Sequence, residues 1–187
     1  MFVFLLTLPF PSLTISHGEV RKMNHQLSCS FTGHRPEKLP WGSNESDARC
    51  LQFKAELWSA LQAAFAQGYQ HFICGMARGA DLQFCEAALL LRELHPDVRV
   101  EAAIPFAGQA DRWIPQERLR YHALLARCDF ETVIQHTYTA GCLQRRNRYL
   151  VDHSSRLIAA YSGQGGGTLY TIHYAIRKQC DVIILDV

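Results

Sequence analysis

The feature that most restricts the fold is an alternation along the chain. Short apolar runs at Leu27–Phe31, His71–Cys74, Val98–Ile104, Thr132–Ile134, Arg156–Tyr161 and Val182–Leu185 are separated by stretches with helical spacing. The helical stretches fall at residues 45–67, 82–92, 115–127, 140–153 and 169–178. Strands joined by helices of this length pair in parallel, because a parallel neighbour needs a crossover connection, and the sheet is then covered on both faces. In the first helix Leu51, Ala55, Trp58, Leu61 and Phe65 recur at three- and four-residue steps and mark the expected buried face, with Gly68 as its C′ residue.

Three of the loops that leave strand ends on one edge of this sheet carry glycine and polar residues. They are Thr32-Gly33-His34-Arg35-Pro36, Gly75-Met76-Ala77-Arg78-Gly79-Ala80-Asp81 and Ser162-Gly163-Gln164-Gly165-Gly166-Gly167-Thr168. Open parallel sheets bind ligands at that edge. The third loop has four glycines in five residues between an apolar strand and a helix. Such a loop lets backbone N–H groups and a helix N-terminus approach an anion, and it also serves as a plain tight turn. None of the loops is a P-loop, and Gly33-His34-Arg35-Pro36 lacks the second glycine of a dinucleotide fingerprint.

The side chains at these loops have defined options. Arg35 suits a bidentate phosphate contact or an ion pair with a neighbouring carboxylate. His34 suits proton transfer, hydrogen-bond donation or satisfaction of a backbone carbonyl. Asp81 suits an N-cap or an acceptor for a ribose hydroxyl or base amine, and Thr168 an N-cap, a phosphate contact or both. In Arg145-Arg146-Asn147-Arg148 the charges point in several directions on a helix, so most are expected in solvent, with Arg145 or Asn147 as candidates to face the pocket.

Composition excludes more than it assigns. A formal net charge of +2 over 187 residues does not argue for nucleic acid or an anionic membrane surface. Seven scattered cysteines, with no Cys-x-x-Cys pair and no Cys/His set at zinc spacing, read as reduced thiols in a cytosolic protein without structural metal. Residues 1–8 are apolar but lack the preceding charge of a signal peptide and are too short to span a bilayer. Residues 1–22 are therefore expected to be a non-structural extension, and 23–187 a single domain.

Taken in order, Phe31-Thr32-Gly33-His34-Arg35-Pro36, Cys74–Asp81, Ile104-Pro105-Phe106, Arg146–Asp152 and Gly165-Gly166-Gly167-Thr168 resemble the YpsA-like proteins of the SLOG superfamily, which also holds the LOG and Smf/DprA proteins. The resemblance spans residues 27–187. It implies an α/β, Rossmann-like three-layer sandwich with a mostly parallel sheet of five to six strands. It also implies binding or sensing of a nucleotide-derived small molecule, in bacterial stress or cell-division regulation. The resemblance carries over Gly33, Arg35, Gly79, Asp81, Gly166 and Thr168 as ligand contacts; the loops add His34, Gly75, Arg78, Gly165 and Gly167 as ligand-binding candidates, and no cofactor and no metal are expected.

A nucleotide N-glycosidase of the phosphoribohydrolase kind is the alternative. LOG-type enzymes resemble Pro-Gly-Gly-x-Gly-Thr followed closely by a catalytic acid, whereas Thr168 here is followed by Leu169-Tyr170-Thr171-Ile172, with no carboxylate before Asp181. Asp81 and Asp152 are the remaining acids that could serve. Binding therefore leads over catalysis, and no catalytic residue is assigned. A nucleic-acid partner is not expected, nor a membrane, and pairing of copies through helices stays open.

Overall fold

A computed structural model describes residues 27–187. The extension expected over residues 1–22 lies outside them. The described chain runs β1 (Ser28–Gly33), α1 (Ala48–Ala66), β2 (His71–Cys74), α2 (Ala80–Leu94), β3 (Arg99–Ile104), α3 (Pro115–Leu125), β4 (Phe130–Val133), α4 (Cys142–Asp152), β5 (Arg156–Tyr161), α5 (Gly167–Arg177) and β6 (Asp181–Asp186). A 3₁₀ turn, Pro36–Lys38, follows β1.

The sheet has six strands in the order β4-β3-β2-β1-β5-β6, and every neighbouring pair is parallel. Up to β4 the chain winds outward from β1; it then crosses back to place β5 on β1's other side. The loops after β1 and β5 therefore diverge, and the sheet opens a crevice between them at this switch point. β1 runs two residues beyond its apolar run because Thr32 and Gly33 pair with Ala159 and Ala160.

Both faces of the sheet are covered, in two different chemistries. Cys29, Phe31, Phe72, Cys74, Val100, Ile104 and Ile158 pack under α1, α2 and α3 in one continuous apolar core. On the other face, Leu157 and Ala159 meet Val151, Ile172 and Ala175 of α4 and α5. Beside them runs a buried polar strip. Ser30 Oγ lies 2.7 Å from Ser154 Oγ, and Ser28 Oγ 3.0 Å from His71 Nδ1. His71 Nε2 lies 3.0 Å from Glu101, whose other oxygen accepts from Tyr149 and Thr132. Each polar side chain in the strip thereby has at least one partner, which lowers the cost of burying it.

α1 is rotated from its expected face. Its buried residues are Cys50, Phe53, Leu57, Leu61 and Ala64, while Leu51 is 56% exposed. Trp58 and Phe65 pack on the flank of the core rather than at its centre. Taking these two large rings as the centre of the stripe shifts it by one residue, and Leu61 alone stays in register. Gly68 (φ +94°) ends α1 as expected, and Tyr69 N–H bonds back to the Ala64 carbonyl.

Among the described residues all seven cysteines are free thiols, and no helix is long and apolar enough to cross a membrane.

Candidate functional site

The switch-point crevice is a cleft of about 290 Å³, bordered by the β1 loop, Ala77 and Asp81 of the β2–α2 segment, one face of α4 and the first residues of α5. Its walls are tied together beneath the surface by the Asp81 carboxylate. Asp81 is 3% exposed and accepts from Gly33 N–H at 3.2 Å, Ala77 N–H at 3.3 Å and Arg146 Nη1 at 3.2 Å. It lies in the first turn of α2, whose N-cap is Gly79, so it is neither an N-cap nor a free acceptor. Burial pushes the Asp81 carboxyl upward, and Arg146 and the two N–H groups oppose this. Both of its oxygens accept from these donors, so it accepts as the carboxylate.

Arg146 reaches this site from α4 and is 5% exposed. It borders the cleft, and among the described residues its buried Nε has no hydrogen-bond partner. The close fit explains Gly75: a Cβ there would overlap Arg146 Nη1 and lie 2.7 Å from Asp81 Oδ2. Gly33 and Gly79 have similar reasons. A Cβ on Gly33 would meet Ala80 Cβ at 2.6 Å, and one on Gly79 (φ +84°) would meet the His34 carbonyl at 2.7 Å. Gly33 and Gly79 thus let the first two loops pack against each other, while Gly75 makes room for Arg146.

His34 joins the first loop to the third. Its Nε2 receives the Ser162 N–H at 3.2 Å and lies 3.0 Å from Ser162 Oγ, while Nδ1 lies 3.4 Å from Thr168 Oγ1. A backbone N–H can only donate, so Nε2 carries the lone pair and Nδ1 the proton. Burial, and then the Lys38 ammonium, lower the His34 pKa, which keeps the ring neutral. In this arrangement His34 fastens the loops rather than presenting a free proton donor.

At the third wall, Gly166 caps α5 with φ +141°, and Gly167 and Thr168 are its first helical residues. The opening N–H groups of a helix have no intrahelical carbonyl and carry the positive end of its dipole. Lys38 Nζ lies across the loop, donating to the Gly165 carbonyl. Asn147 Nδ2 is 3.4 Å from the Gly167 carbonyl. Among the described residues, nothing beyond its own chain neighbours comes within 4 Å of where a Cβ on Gly165 would sit.

Arg35 stands exposed on the cleft rim, and no ion pair of it is found among the described residues. Arg78 instead pairs with Glu37 (3.1 Å) and Glu117 (2.7 Å), and does not border the cleft. Of the α4 charges, Arg145 bonds to Gln135 and Thr139 and Arg148 to Tyr170, all exposed contacts. Asn147 does face the cleft, as do Arg146 and Lys38, which the motif reading left out. A signal for Arg146 existed: Cys142, Arg146 and Leu150 recur at four-residue spacing, so Arg146 sits mid-stripe on a buried helix face.

The model of the YpsA family, described as the YspA SLOG family, matches residues 29–182. A UPF0398 protein of Bacillus pumilus is 29% identical over 142 residues, covering 74% of this chain and 75% of the relative. Two solved structures share the fold. DNA processing protein A (DprA) of Streptococcus pneumoniae aligns with a TM-score of 0.54 at 16% identity, over 85% of this chain but only 50% of that protein. DNA processing protein A of Helicobacter pylori, described for its single-stranded DNA binding mode, aligns with a TM-score of 0.58 at 13% identity, over 89% of this chain and 68% of that one.

The exclusion of nucleic acid expected from composition is corrected by these neighbours, since the fold is shared with a protein described as binding single-stranded DNA. The physical error lies in using a chain-wide sum. A net charge of +2 leaves room for a local concentration such as Arg35, Lys38 and Arg146 around one cleft.

Proposed function

The chain belongs to the YspA SLOG family, and from that premise we propose that its switch-point cleft binds a nucleotide or nucleotide-derived ligand, with a phosphate at the start of α5. The observation that carries this reading is the convergence there of a glycine-capped helix N-terminus with Arg35, Lys38 and the buried guanidinium of Arg146. Helix N–H groups and cations together favour an anion. Lys38 is held to the loop by a single carbonyl contact, so it can turn its ammonium to a phosphate at small cost.

Binding or sensing fits the carboxylates better than N-glycosidic cleavage does. Asp81 borders the cleft but is occupied by three donors, and Asp152 bonds to Tyr174 and Lys178. Glu37, the other acid on the cleft, is paired with Arg78. The free thiols suit a reducing, cytosolic setting.

The test is a thermal-shift series with AMP, NAD, ADP-ribose and cyclic dinucleotides. A ligand at 100 times its Kd stabilises the folded state by about 2.7 kcal/mol and raises Tm. The shift should disappear in the Arg35→Ala/Lys38→Met double variant. If no nucleotide moves Tm, the pocket reading fails. Single-stranded DNA is a second reading, supported by the shared fold with the Helicobacter pylori protein. It predicts retention of a labelled oligothymidylate that weakens steeply as salt rises.

A further inference from the structure

The cleft does not end at Arg35. Two loops leave the same sheet edge beyond it, after β3 and β4, and they bring an aromatic group together. Phe106 follows the end of β3, Trp113 precedes α3, and Tyr138 lies between β4 and α4. Phe106 and Tyr138 meet edge to face with centroids 5.3 Å apart. Trp113 is braced edge to face against the buried Tyr121 at 5.2 Å.

A second cleft of about 290 Å³ lies among these rings, and Arg35, Ala77 and Leu143 border both it and the cationic cleft. Farther out, the same rings line a wider depression of about 610 Å³. Tyr138 keeps 67% exposure beside Phe106, so most of its ring is open to a further aromatic contact.

The loop carrying Phe106 is held in position. Gln109 Nε2 donates to the Met76 carbonyl at 2.6 Å. Met76 is fully buried and has φ +55°, a left-handed conformation uncommon outside glycine that collects at functional sites. The other amide atom of Gln109, Oε1, remains as an acceptor on a side chain that borders the aromatic cleft.

We propose that the Phe106–Trp113–Tyr138 cleft takes the aromatic base of the ligand whose phosphate lies at the start of α5. The inference rests on the nucleotide reading of the cationic cleft and adds to it a requirement for a planar base. A pentose phosphate or inorganic phosphate would use only the cationic half. Rings at the cleft stack on a base through their faces, Gln109 Oε1 accepts from an exocyclic amine, and Arg35 stands where the two clefts join, beside the sugar–phosphate link.

The experiment is titration calorimetry of the full chain with AMP, GMP and ribose 5-phosphate, with Trp fluorescence followed in parallel. At least one of the nucleotides should bind at least tenfold tighter than ribose 5-phosphate and quench emission, and the quench should be lost in Trp113→Phe. Tyr138→Ala, at an exposed position, should weaken the nucleotide by roughly 5- to 150-fold, the range for losing one stacking partner, and leave ribose 5-phosphate unchanged. If ribose 5-phosphate binds as well as the nucleotides and Tyr138→Ala changes neither, the base site is overturned while the phosphate site stands. If Tyr138→Ala weakens both equally, the base site is also overturned. If nothing binds, both readings fall together.

Discussion

Gly75→Ala is the substitution that most directly tests how the site is built. Gly75 is not among the glycines with positive φ, so alanine's backbone is acceptable there and any cost comes from its methyl group. That methyl would overlap Arg146 Nη1, stand 2.5 Å from Cζ and lie 2.7 Å from Asp81 Oδ2. The guanidinium must leave, and Asp81 is left buried with only its two backbone donors. Breaking a buried ion pair from one side costs about 3–5 kcal/mol. With a urea m-value of about 2 kcal/mol/M, the unfolding midpoint should fall by roughly 1.5–2.5 M. The decisive measurement is a double-mutant cycle by urea denaturation. In an Arg146→Met background Asp81 has already lost its partner and the flexible thioether can yield, so Gly75→Ala should then cost under about 1 kcal/mol. Equal costs in the two backgrounds would refute the claim that Gly75 is glycine because of Arg146.

Further outcomes follow from the same geometry. The His34 pKa is lowered, so the folded state holds the ring neutral, and the unfolded chain binds the extra proton as pH falls below the ordinary 6.5. Stability from the His34–Ser162 contact is therefore present at neutral pH and lost as pH drops below about 6.5, a slope that His34→Gln should remove in urea titrations at stepped pH. Glu101 runs through a lower window: burial raises its pKa, but His71, Tyr149 and Thr132 outweigh this and hold it below the usual carboxylate value. Its contribution is complete above about pH 4.5 and fades on acidification, and Glu101→Gln should flatten the acid limb of the stability curve. On α1, Leu61→Ala should cost about 2–5 kcal/mol by opening a cavity, while Leu51→Ala should stay within about 0.5 kcal/mol, measured as denaturant midpoints.

How the site is assembled explains which parts could be read from sequence. Strand–helix alternation and glycine loops are local signals, carried by residues a few positions apart. They identified the parallel sheet and the three glycine-bearing loops at one of its edges. They misplaced the face of α1, because periodicity gives the spacing of a buried stripe while its centre depends on what α2 and the sheet offer. Trp58 and Phe65 outweigh Cys50 and Ala64 in any reading by size, yet the smaller residues are the ones buried.

The same distinction separates the site residues. Gly33, Gly75 and Gly79 were found as members of a ligand loop, and the contacts that demand glycine there are to protein atoms: Ala80, Arg146 and the His34 carbonyl. Asp81 and Arg146 are 65 positions apart, so neither discloses that it is the other's partner. Short-range motifs therefore marked where a ligand could approach, and the long-range contacts separate residues that hold the walls from those left to meet it. By that division Asp81, His34 and Arg78 are occupied, and the groups left at the cleft are Arg35, the start of α5 and the cleft-bordering part of the Arg146 side chain. A ligand seated on those three would contact the loop after β1, α4 and α5 at once. Binding there would therefore tie together the loops on both sides of the switch point.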